Sequence, residues 1–230
     1  MNFDLILFDI DGTLLDFNLT EKNALKETFE EYNFEFNEEI HKRYHDINIF
    51  YWKELEKGNI DKDKLGYARF DQLFKEYGLV GDTKEVNVKY RKRLGEGAYL
   101  LDGAEEICRY FDGKVKMATA SNGGKDIQIK RMKKVGLDKY MNYMFISEEV
   151  GFNKPDKRYF DYIFERVGDI PKDRVIIVGD SLTADIKGGI NGGIKTCWIN
   201  LENEINSSDI IPDFEIKSIL ELKEIIVKYK

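Results

Sequence analysis

The sequence predicts an α/β protein in which a parallel β-sheet is interrupted by an inserted α-helical domain. Short apolar runs typical of buried strands recur along the chain, and patterns typical of amphipathic helices separate most of them. Strands that alternate with helices form parallel sheets joined by right-handed crossovers. The alternation is broken once, between residues 17 and 97, where no convincing strand occurs.

The predicted elements of the sheet follow in chain order. Residues 5–8 (LILF) are a short apolar segment that ends at turn residues, which is typical of a buried strand. Further strands are predicted at residues 115–120, 143–146, 175–179 and 195–200, and a short last strand near Phe214. Helices are predicted at residues 104–111, 125–136 and 156–168 and at the end of the chain. Asp102 with Glu105, and Ser218 with Glu221, have the spacing of capping boxes.

The interrupted region predicts a domain of its own. It contains four helical patterns, near residues 20–33, 38–57, 61–77 and 83–94, separated by glycine or turn residues. We therefore expect a core domain of residues 1–16 and 98–230 and a helical domain of residues 17–97. An insertion at this point is expected over the carboxyl ends of the strands, where open α/β sheets bind ligands.

The composition excludes several classes of protein. Of the 230 residues, 42% are hydrophobic and 34% charged, so the chain can fill a core and disorder is not expected. The net charge of −7 argues against a nucleic acid polymer as partner, but not against a small anionic substrate. Cys108 and Cys197 lie far apart in apolar surroundings, as thiols do in a reducing compartment. No membrane segment is evident, so a cytoplasmic protein is expected, with its oligomeric state left open.

Two carboxylates follow the first strand, at Asp9 and Asp11 in the segment DIDGT. Residues two apart on a strand point the same way, so both side chains are expected above the end of that strand. Close like charges need a cation or a shared proton. One carboxylate can attack phosphorus as a nucleophile, and the other can act as general acid and then general base. An Asp- and Gly-rich surface turn is the alternative interpretation.

Three later segments carry residues that could bind a phosphate or a metal ion. Ser121 and Asn122, followed by two glycines, offer a hydroxyl and backbone N–H groups to an anion at the start of a helix. Lys154 precedes a predicted helix and can neutralise a phosphate. Asp180 and Asp185 follow an apolar strand, and their carboxylates offer the oxygen ligands that Mg²⁺ prefers. Taken singly, the first two segments are better explained as an ordinary turn and a surface lysine, and a helix cap is the alternative interpretation of the third.

In this order, DIDGT, SNGG, NKP and GDS with a following aspartate resemble the haloacid dehalogenase (HAD) superfamily of phosphohydrolases, over essentially the whole chain. The resemblance implies a Rossmann-like parallel sheet core with an inserted α-helical cap domain. It implies Asp9 as nucleophile and Asp11 as acid/base. It also implies that Mg²⁺ is bound by Asp9, the Asp11 carbonyl and Asp180, and that Asp185 acts on the metal through water or another ligand. Ser121, Asn122 and Lys154 would bind the phosphate.

The segment from Gly179 to Asn200, with the tail after it, is further similar to the nucleotidase branch that dephosphorylates nucleoside 5′-monophosphates, pyrimidine ones prominently. A Mg²⁺-dependent 5′-nucleotidase with a pyrimidine preference is therefore expected, acting on a small phosphorylated substrate. The alternatives are a sugar-phosphate phosphatase, a phosphomutase and a non-catalytic module that binds a phosphorylated ligand. A dehalogenase is disfavoured, because relatives with that activity lack the second aspartate.

The helical domain is expected to choose the substrate. Tyr51 and Trp52 are the candidates for stacking on a nucleotide base, although most aromatic residues of this domain are expected to form its own core. His41 and His45 are one helical turn apart, a spacing that can bind zinc. No third ligand is evident, so a structural role is favoured for both.

Overall fold

A computed structural model of the chain describes residues 1–228. The chain divides into two compact units, one formed by Met1–Asp16 and Tyr99–Lys230 and the other by Phe17–Ala98. We call the first the core unit and the second the helical unit.

The core unit contains a parallel sheet, which confirms the predicted α/β class. Over the described residues its six strands are arranged in the order β3-β2-β1-β4-β5-β6. Their bounds are β1 Leu5–Phe8, β2 Lys116–Ser121, β3 Tyr143–Ile146, β4 Val175–Gly179, β5 Lys195–Ile199 and β6 Phe214–Ile216. The chain moves outward from β1 in one direction through β2 and β3, and then returns to the other side of β1 with β4. The order of strands therefore reverses beside β1, and this is where open sheets of this kind bind ligands.

Burial on both faces of the sheet explains why the strands could be recognised as unbroken apolar runs. Along β1, Leu5 and Leu7 pack into the hydrophobic cluster on one face, while Ile6 and Phe8 pack into the cluster on the other. This alternation is the two-residue period of a strand. All four residues are fully buried.

Helices cover both faces of the sheet. In the core unit they are α5 Ala104–Phe111, α6 Lys125–Val135, α7 Ser147–Val150, α8 Lys157–Val167, α9 Lys187–Gly192 and α10 Leu222–Lys228. Short helical turns lie at Asp138–Tyr140, Lys172–Arg174, Leu182–Ile186 and Ile219–Glu221. The apolar faces of α5, α6 and α10 join the cluster that contains Ile6, and that of α8 joins the cluster that contains Leu7.

The predicted cap of α5 is wrong. Its N-cap residue is Gly103, with φ +84° and no capping hydrogen bond from a side chain, so the Asp102–Glu105 capping box does not form. A Cβ atom at position 103 would lie 2.8 Å from Cγ of Leu220, so this helix start needs a glycine to approach the chain near Leu220. By contrast, Ser218 is an N-cap, accepting from the Leu220 N–H at 3.3 Å.

The helical unit consists of α1 Phe17–Glu31, α2 Glu38–Glu56, α3 Lys62–Tyr77 and α4 Thr83–Glu96. Asn37, Asp61 and Asp82 cap the last three helices by accepting hydrogen bonds from backbone N–H groups. Buried aromatic rings fill the interior, among them Tyr44 and Tyr90, whose centroids are 5.5 Å apart.

A buried polar network lies beside these rings. The guanidinium of Arg69 lies 4.9 Å from the ring centroid of Tyr90 and donates to Oδ1 of Asn48 at 2.7 Å. Asn48 in turn donates to Oε1 of Glu21 at 2.7 Å. The side chain of Asn48 thus links the buried guanidinium of Arg69 with the buried carboxylate of Glu21 through hydrogen bonds, which offset part of the cost of burying both charges.

Candidate active site

The sheet topology brings three of the four predicted motifs together. Since β1 lies between β2 and β4, the parallel ends of these strands are adjacent. Asp9 directly follows β1, Ser121 ends β2 and Asp180 directly follows β4. The fourth motif joins through Lys154, in the loop between α7 and α8.

Lys154 is the charged centre of this group, and its side chain is 2% exposed. Its ammonium donates to Oδ1 of Asp9 at 2.7 Å, to Oδ1 of Asp185 at 2.5 Å and to the carbonyl oxygen of Ala120 at 2.5 Å. Three acceptors match the three N–H groups of a lysine. Burial opposes the charge of Lys154, but Asp185 and Asp9 outweigh it and hold its pKa above the ordinary value. Lys154 therefore stays cationic.

Three carboxylates surround this lysine. Asp9, Asp180 and Asp185 each offer an oxygen, and these oxygens lie within 4.8 Å of one another. Burial, together with the neighbouring carboxylates, raises the pKa of Asp9 well above its usual range, against the opposing charge of Lys154. Although Asp180 reaches the surface, the protein atoms around its carboxyl group, followed by the charge of Asp185, raise its pKa to about 7. One ammonium does not balance three carboxylates, so the group favours an additional cation.

The donor set fits Mg²⁺, a hard cation that prefers oxygen ligands. Both oxygens of Asp185 are engaged, one by Lys154 and the other by the backbone N–H of Ser181 at 3.1 Å. Asp9 uses one oxygen for Lys154, and its other oxygen makes no hydrogen bond to residues 1–228. Asp180 is the exposed member of the three. Asp9 and Asp180 are therefore better placed than Asp185 to bind a cation directly.

Two glycines make room for these carboxylates. A Cβ atom on Gly12 would lie 2.3 Å from Oδ2 of Asp180, and one on Gly179 would lie 2.2 Å from Cγ of Asp185. Real side chains do not come so close, so both positions require glycine for the observed packing. A hydrogen bond from the neighbouring strand β5 also holds the loop after β4, since Nε1 of the buried Trp198 donates to the carbonyl of Asp180 at 2.8 Å.

The Ser121–Asn122 segment holds the lysine loop in place. The side-chain amide of Asn122 donates to the carbonyl of Lys154 and accepts from its N–H, both at 2.8 Å. Its side chain is thus directed at Lys154, which leaves its backbone N–H as the group to offer to an anion. The Oγ atom of Ser121 accepts from the N–H of Gly123 at 3.1 Å and from Nε2 of Gln128 at 2.9 Å.

Asp11 has a different set of partners from Asp9. Nε2 of Gln128 donates to its Oδ2 at 2.6 Å, and the guanidinium of Arg131 is paired with its Oδ1. The two carboxylates after β1 are therefore each compensated by a cation of the chain, Lys154 for Asp9 and Arg131 for Asp11. The motif search missed Gln128 and Arg131. The available signal was their spacing, three residues apart on the helix that follows the Ser121 turn.

Other predicted residues lie in the helical unit. Tyr51 and Trp52 are half-buried residues of α2. His45 contacts Oε2 of the buried Glu21 through Nδ1 at 2.7 Å, and Nε2 of His41 lies 3.7 Å from the same oxygen. Among the residues that the structure describes, these groups do not form a metal-binding cluster of the kind seen at Asp9.

The fold and this arrangement match one class of enzymes. The sequence profile of the family described as haloacid dehalogenase-like hydrolase matches residues 6–199. The chain belongs to this family, which confirms the resemblance inferred from the motifs.

Three curated proteins are similar to this chain over nearly its whole length. The HAD-hydrolase YfnB of Bacillus subtilis (strain 168) is 39% identical over 221 residues, which are 96% of this chain and 94% of that protein. The pyrimidine 5′-nucleotidase YjjG of Escherichia coli (strain K12) is 31% identical over 229 residues, the full length of both chains. The pyrimidine 5′-nucleotidase PynA of Streptococcus pneumoniae (strain ATCC BAA-255 / R6) is 33% identical over 229 residues, 99% of this chain and 97% of that protein.

A solved structure agrees with the sequence relatives. The crystal structure of YfnB bound to magnesium superposes with a TM-score of 0.94 at 38% identity, covering 98% of this chain and 99% of that one. In residues 1–228 of the present chain, no helix is long and apolar enough to cross a membrane.

Proposed function

We propose that this hydrolase is a Mg²⁺-dependent phosphomonoesterase that acts through an aspartyl-phosphate on Asp9 and prefers pyrimidine nucleoside 5′-monophosphates. The observation that carries the proposal is the buried contact of Asp9 with Lys154 beside two further carboxylates. A carboxylate that is both buried and paired with a cation has few solvating partners, which suits a nucleophile. Its second oxygen makes no hydrogen bond within the described chain.

The reaction has two balanced halves. In the first, an oxygen of Asp9 bonds to phosphorus, the bond from phosphorus to the ester oxygen breaks, and Asp11, which enters this step in its protonated form, gives that oxygen its proton. In the second, water attacks phosphorus, Asp11 takes the proton of the water, and the bond between phosphorus and Asp9 breaks. Inorganic phosphate leaves and both aspartates return to their starting states.

The remaining core residues bind the phosphoryl group. Ser121 already accepts two hydrogen bonds at Oγ, so its own hydrogen is available for a phosphate oxygen. The backbone N–H of Asn122 is a second donor. All three N–H groups of Lys154 are used by protein acceptors, so its contribution is its charge. This charge opposes the rise in the pKa of Asp9 that burial causes, and it attracts the anionic substrate.

Asp9, Asp180 and the carbonyl of Asp11 would hold Mg²⁺, with Asp185 orienting the group through Lys154 and Ser181. When bound, Mg²⁺ supplies positive charge against the phosphate oxygens. The fit rests on an all-oxygen donor set with an excess of negative charge. The structure of the relative YfnB is described as bound to magnesium, which supports the same assignment here.

The substrate class rests on the relatives YjjG and PynA, both pyrimidine 5′-nucleotidases over nearly the whole length of this chain. We assign substrate selection to the helical unit, as its cap domain, and the chemistry to the core unit.

A panel of phosphate esters tests the proposal. Purified protein is assayed for phosphate release from pyrimidine and purine 5′-monophosphates, sugar phosphates and p-nitrophenyl phosphate, with Mg²⁺ and with excess EDTA. We expect Mg²⁺-dependent release with the highest kcat/KM for a pyrimidine nucleotide. A higher value for a sugar phosphate would overturn the substrate class, and no release from any ester would overturn the enzymatic function.

A further inference from the structure

Two buried polar residues of α6 contact the proposed acid/base. We propose that Gln128 and Arg131 are positioning residues that hold the carboxyl group of Asp11 in the orientation needed for proton transfer. The inference rests on the proposed role of Asp11 in the preceding section, and it assigns α6 a part in the reaction that the four motifs do not include.

The contacts fix Asp11 at both ends of its carboxylate. Arg131 is paired with Oδ1, and Nε2 of Gln128 donates to Oδ2 at 2.6 Å. The guanidinium of Arg131 also donates to Oε1 of Gln128 at 3.1 Å, so the two side chains orient each other. When Asp11 carries a proton on one oxygen, the donor at the other oxygen still fixes the plane of the carboxyl group.

Burial argues against a purely structural role. Gln128 and Arg131 are each 1% exposed, whereas the side chain of Asp11 is 28% exposed. A buried arginine is costly to desolvate, and packed apolar residues in its place are often neutral or stabilising. Here the buried charge is directed at a carboxylate that remains open to solvent, where a substrate can reach it. Stability alone does not require this arrangement.

Gln128 also connects Asp11 with the phosphate-binding turn. The same Nε2 that contacts Asp11 donates to Oγ of Ser121 at 2.9 Å. A Cβ atom on Gly123 would lie 2.5 Å from this Nε2, so the glycine of the turn leaves space for the amide. One side chain therefore sets the relative position of the hydroxyl that would bind phosphate and the carboxyl group that would protonate the leaving oxygen.

A loss of activity that depends on the leaving group distinguishes a positioning role from a general loss of structure. An alkoxide such as the ribose oxygen of a nucleotide needs a proton as it leaves, whereas p-nitrophenolate needs it much less. The variants are Gln128→Met and Arg131→Met, which keep an unbranched side chain but remove the donors. Lys133→Met, at an exposed position of the same helix, is the matched control.

The measurement is kcat/KM for uridine 5′-monophosphate and for p-nitrophenyl phosphate on each protein. We expect both variants to lose at least about tenfold more activity on the nucleotide than on p-nitrophenyl phosphate, which is part of the roughly hundredfold to ten-thousandfold that general acid catalysis contributes. The control is expected to match the wild type on both esters. Equal losses on the two esters would overturn the proposal.

A double-mutant cycle that combines Arg131→Met with Asp11→Asn is a second test of the proposal. If Arg131 acts through Asp11, adding Arg131→Met to Asp11→Asn produces no further loss on the nucleotide. Multiplying losses would overturn the inference. Arg131→Lys, which keeps the charge but not the planar fork, is expected to recover part of the nucleotide activity and serves if the methionine variant does not fold.

The failures are distinguishable. If the wild type hydrolyses neither ester, the proposed function is wrong. If Asp11→Asn is selective for the nucleotide while the α6 variants are not, only the positioning role is wrong.

Discussion

A Cβ atom placed on Gly12 would lie 2.3 Å from Oδ2 of Asp180. Gly12 also has φ +77°, a backbone conformation that residues other than glycine rarely adopt. The first turn after β1 and the carboxylate after β4 are thus packed against each other with no room for a methyl group. Gly12→Ala is expected to displace Asp180 and to weaken Mg²⁺ binding by about tenfold to a hundredfold, the usual effect of disturbing a ligand's support. Isothermal titration of Mg²⁺ measures it.

Gly113→Ala is the matched control for this substitution. Gly113 has φ +67°, but its Cβ position has no heavy atom within 4 Å. Both variants carry backbone strain of about 1 kcal/mol, and only the one at position 12 meets a carboxylate. Equal Mg²⁺ affinity in the two variants would show that contact with Asp180 is irrelevant to metal binding.

Much of this arrangement could be predicted from the sequence, because β1 and β4 are buried on both faces and so appear as unbroken apolar runs. Parallel topology then places Asp9 and Asp180 at one edge. The contacts of Asp11 could not be predicted in this way. Gln128 and Arg131 are polar residues on a helix with many lysines, where the default expectation is a solvated face. Their three-residue spacing places them on the same side of the helix, but only the three-dimensional packing shows that this side faces inward.

Asp9→Asn is expected to abolish phosphate release while the fold is retained. The amide keeps the shape of the side chain but is not a nucleophile, so kcat/KM should fall by about a thousandfold or more. Asp161→Asn on α8, at a partly exposed aspartate that pairs with Lys157, is the control and should leave activity unchanged. Retention of a tenth of wild-type activity by Asp9→Asn, measured as phosphate release from p-nitrophenyl phosphate, would exclude Asp9 as nucleophile.

The metal requirement is expected to follow the oxygen-only donor set at Asp9 and Asp180. Mg²⁺ should activate, Mn²⁺ should replace it, and Ca²⁺ should inhibit, because Ca²⁺ prefers more ligands at longer distances. Steady-state rates after EDTA treatment and addition of each ion measure this order. Full activity in excess EDTA, or strong activation by Ca²⁺ alone, contradicts the assignment.

The Glu21–His45 contact predicts a pH-dependent contribution to stability. The hydrogen bond from His45 to Glu21, against the opposing effect of burial, raises the pKa of His45 above its ordinary 6.5. Burial opposes ionisation of Glu21, but the nearby imidazole of His41 and the hydrogen bond of His45 hold the Glu21 pKa below 4.5. A histidine with a raised pKa stabilises the fold fully below its unfolded pKa, and this contribution is lost as pH rises through the folded pKa.

His45→Gln measures the contribution of that charge. The free energy of unfolding, from urea titration, should fall more on substitution at about pH 5.5 than at about pH 9. Lys53→Gln removes an exposed charge from the same helix and should show no such difference between the two values. A larger effect of His45→Gln at the higher pH would reverse the predicted sign.

Tyr51 and Trp52 are expected to affect recognition of the base if the helical unit selects the substrate. Both residues are half-buried on α2, so neither is fully enclosed in the interior of the helical unit. Stacking of a base on an aromatic side chain is worth about 1 to 3 kcal/mol, which corresponds to roughly a five- to hundredfold change in affinity. Tyr51→Ala and Trp52→Ala should therefore raise KM for uridine 5′-monophosphate well above their effect on p-nitrophenyl phosphate, which has no base.

Tyr67→Ala, at a half-buried position of α3, is the control for loss of an aromatic ring from this unit. If both substrates are affected together, the two residues support the packing of the unit. If neither is affected, the base is recognised elsewhere or the substrate is not a nucleotide.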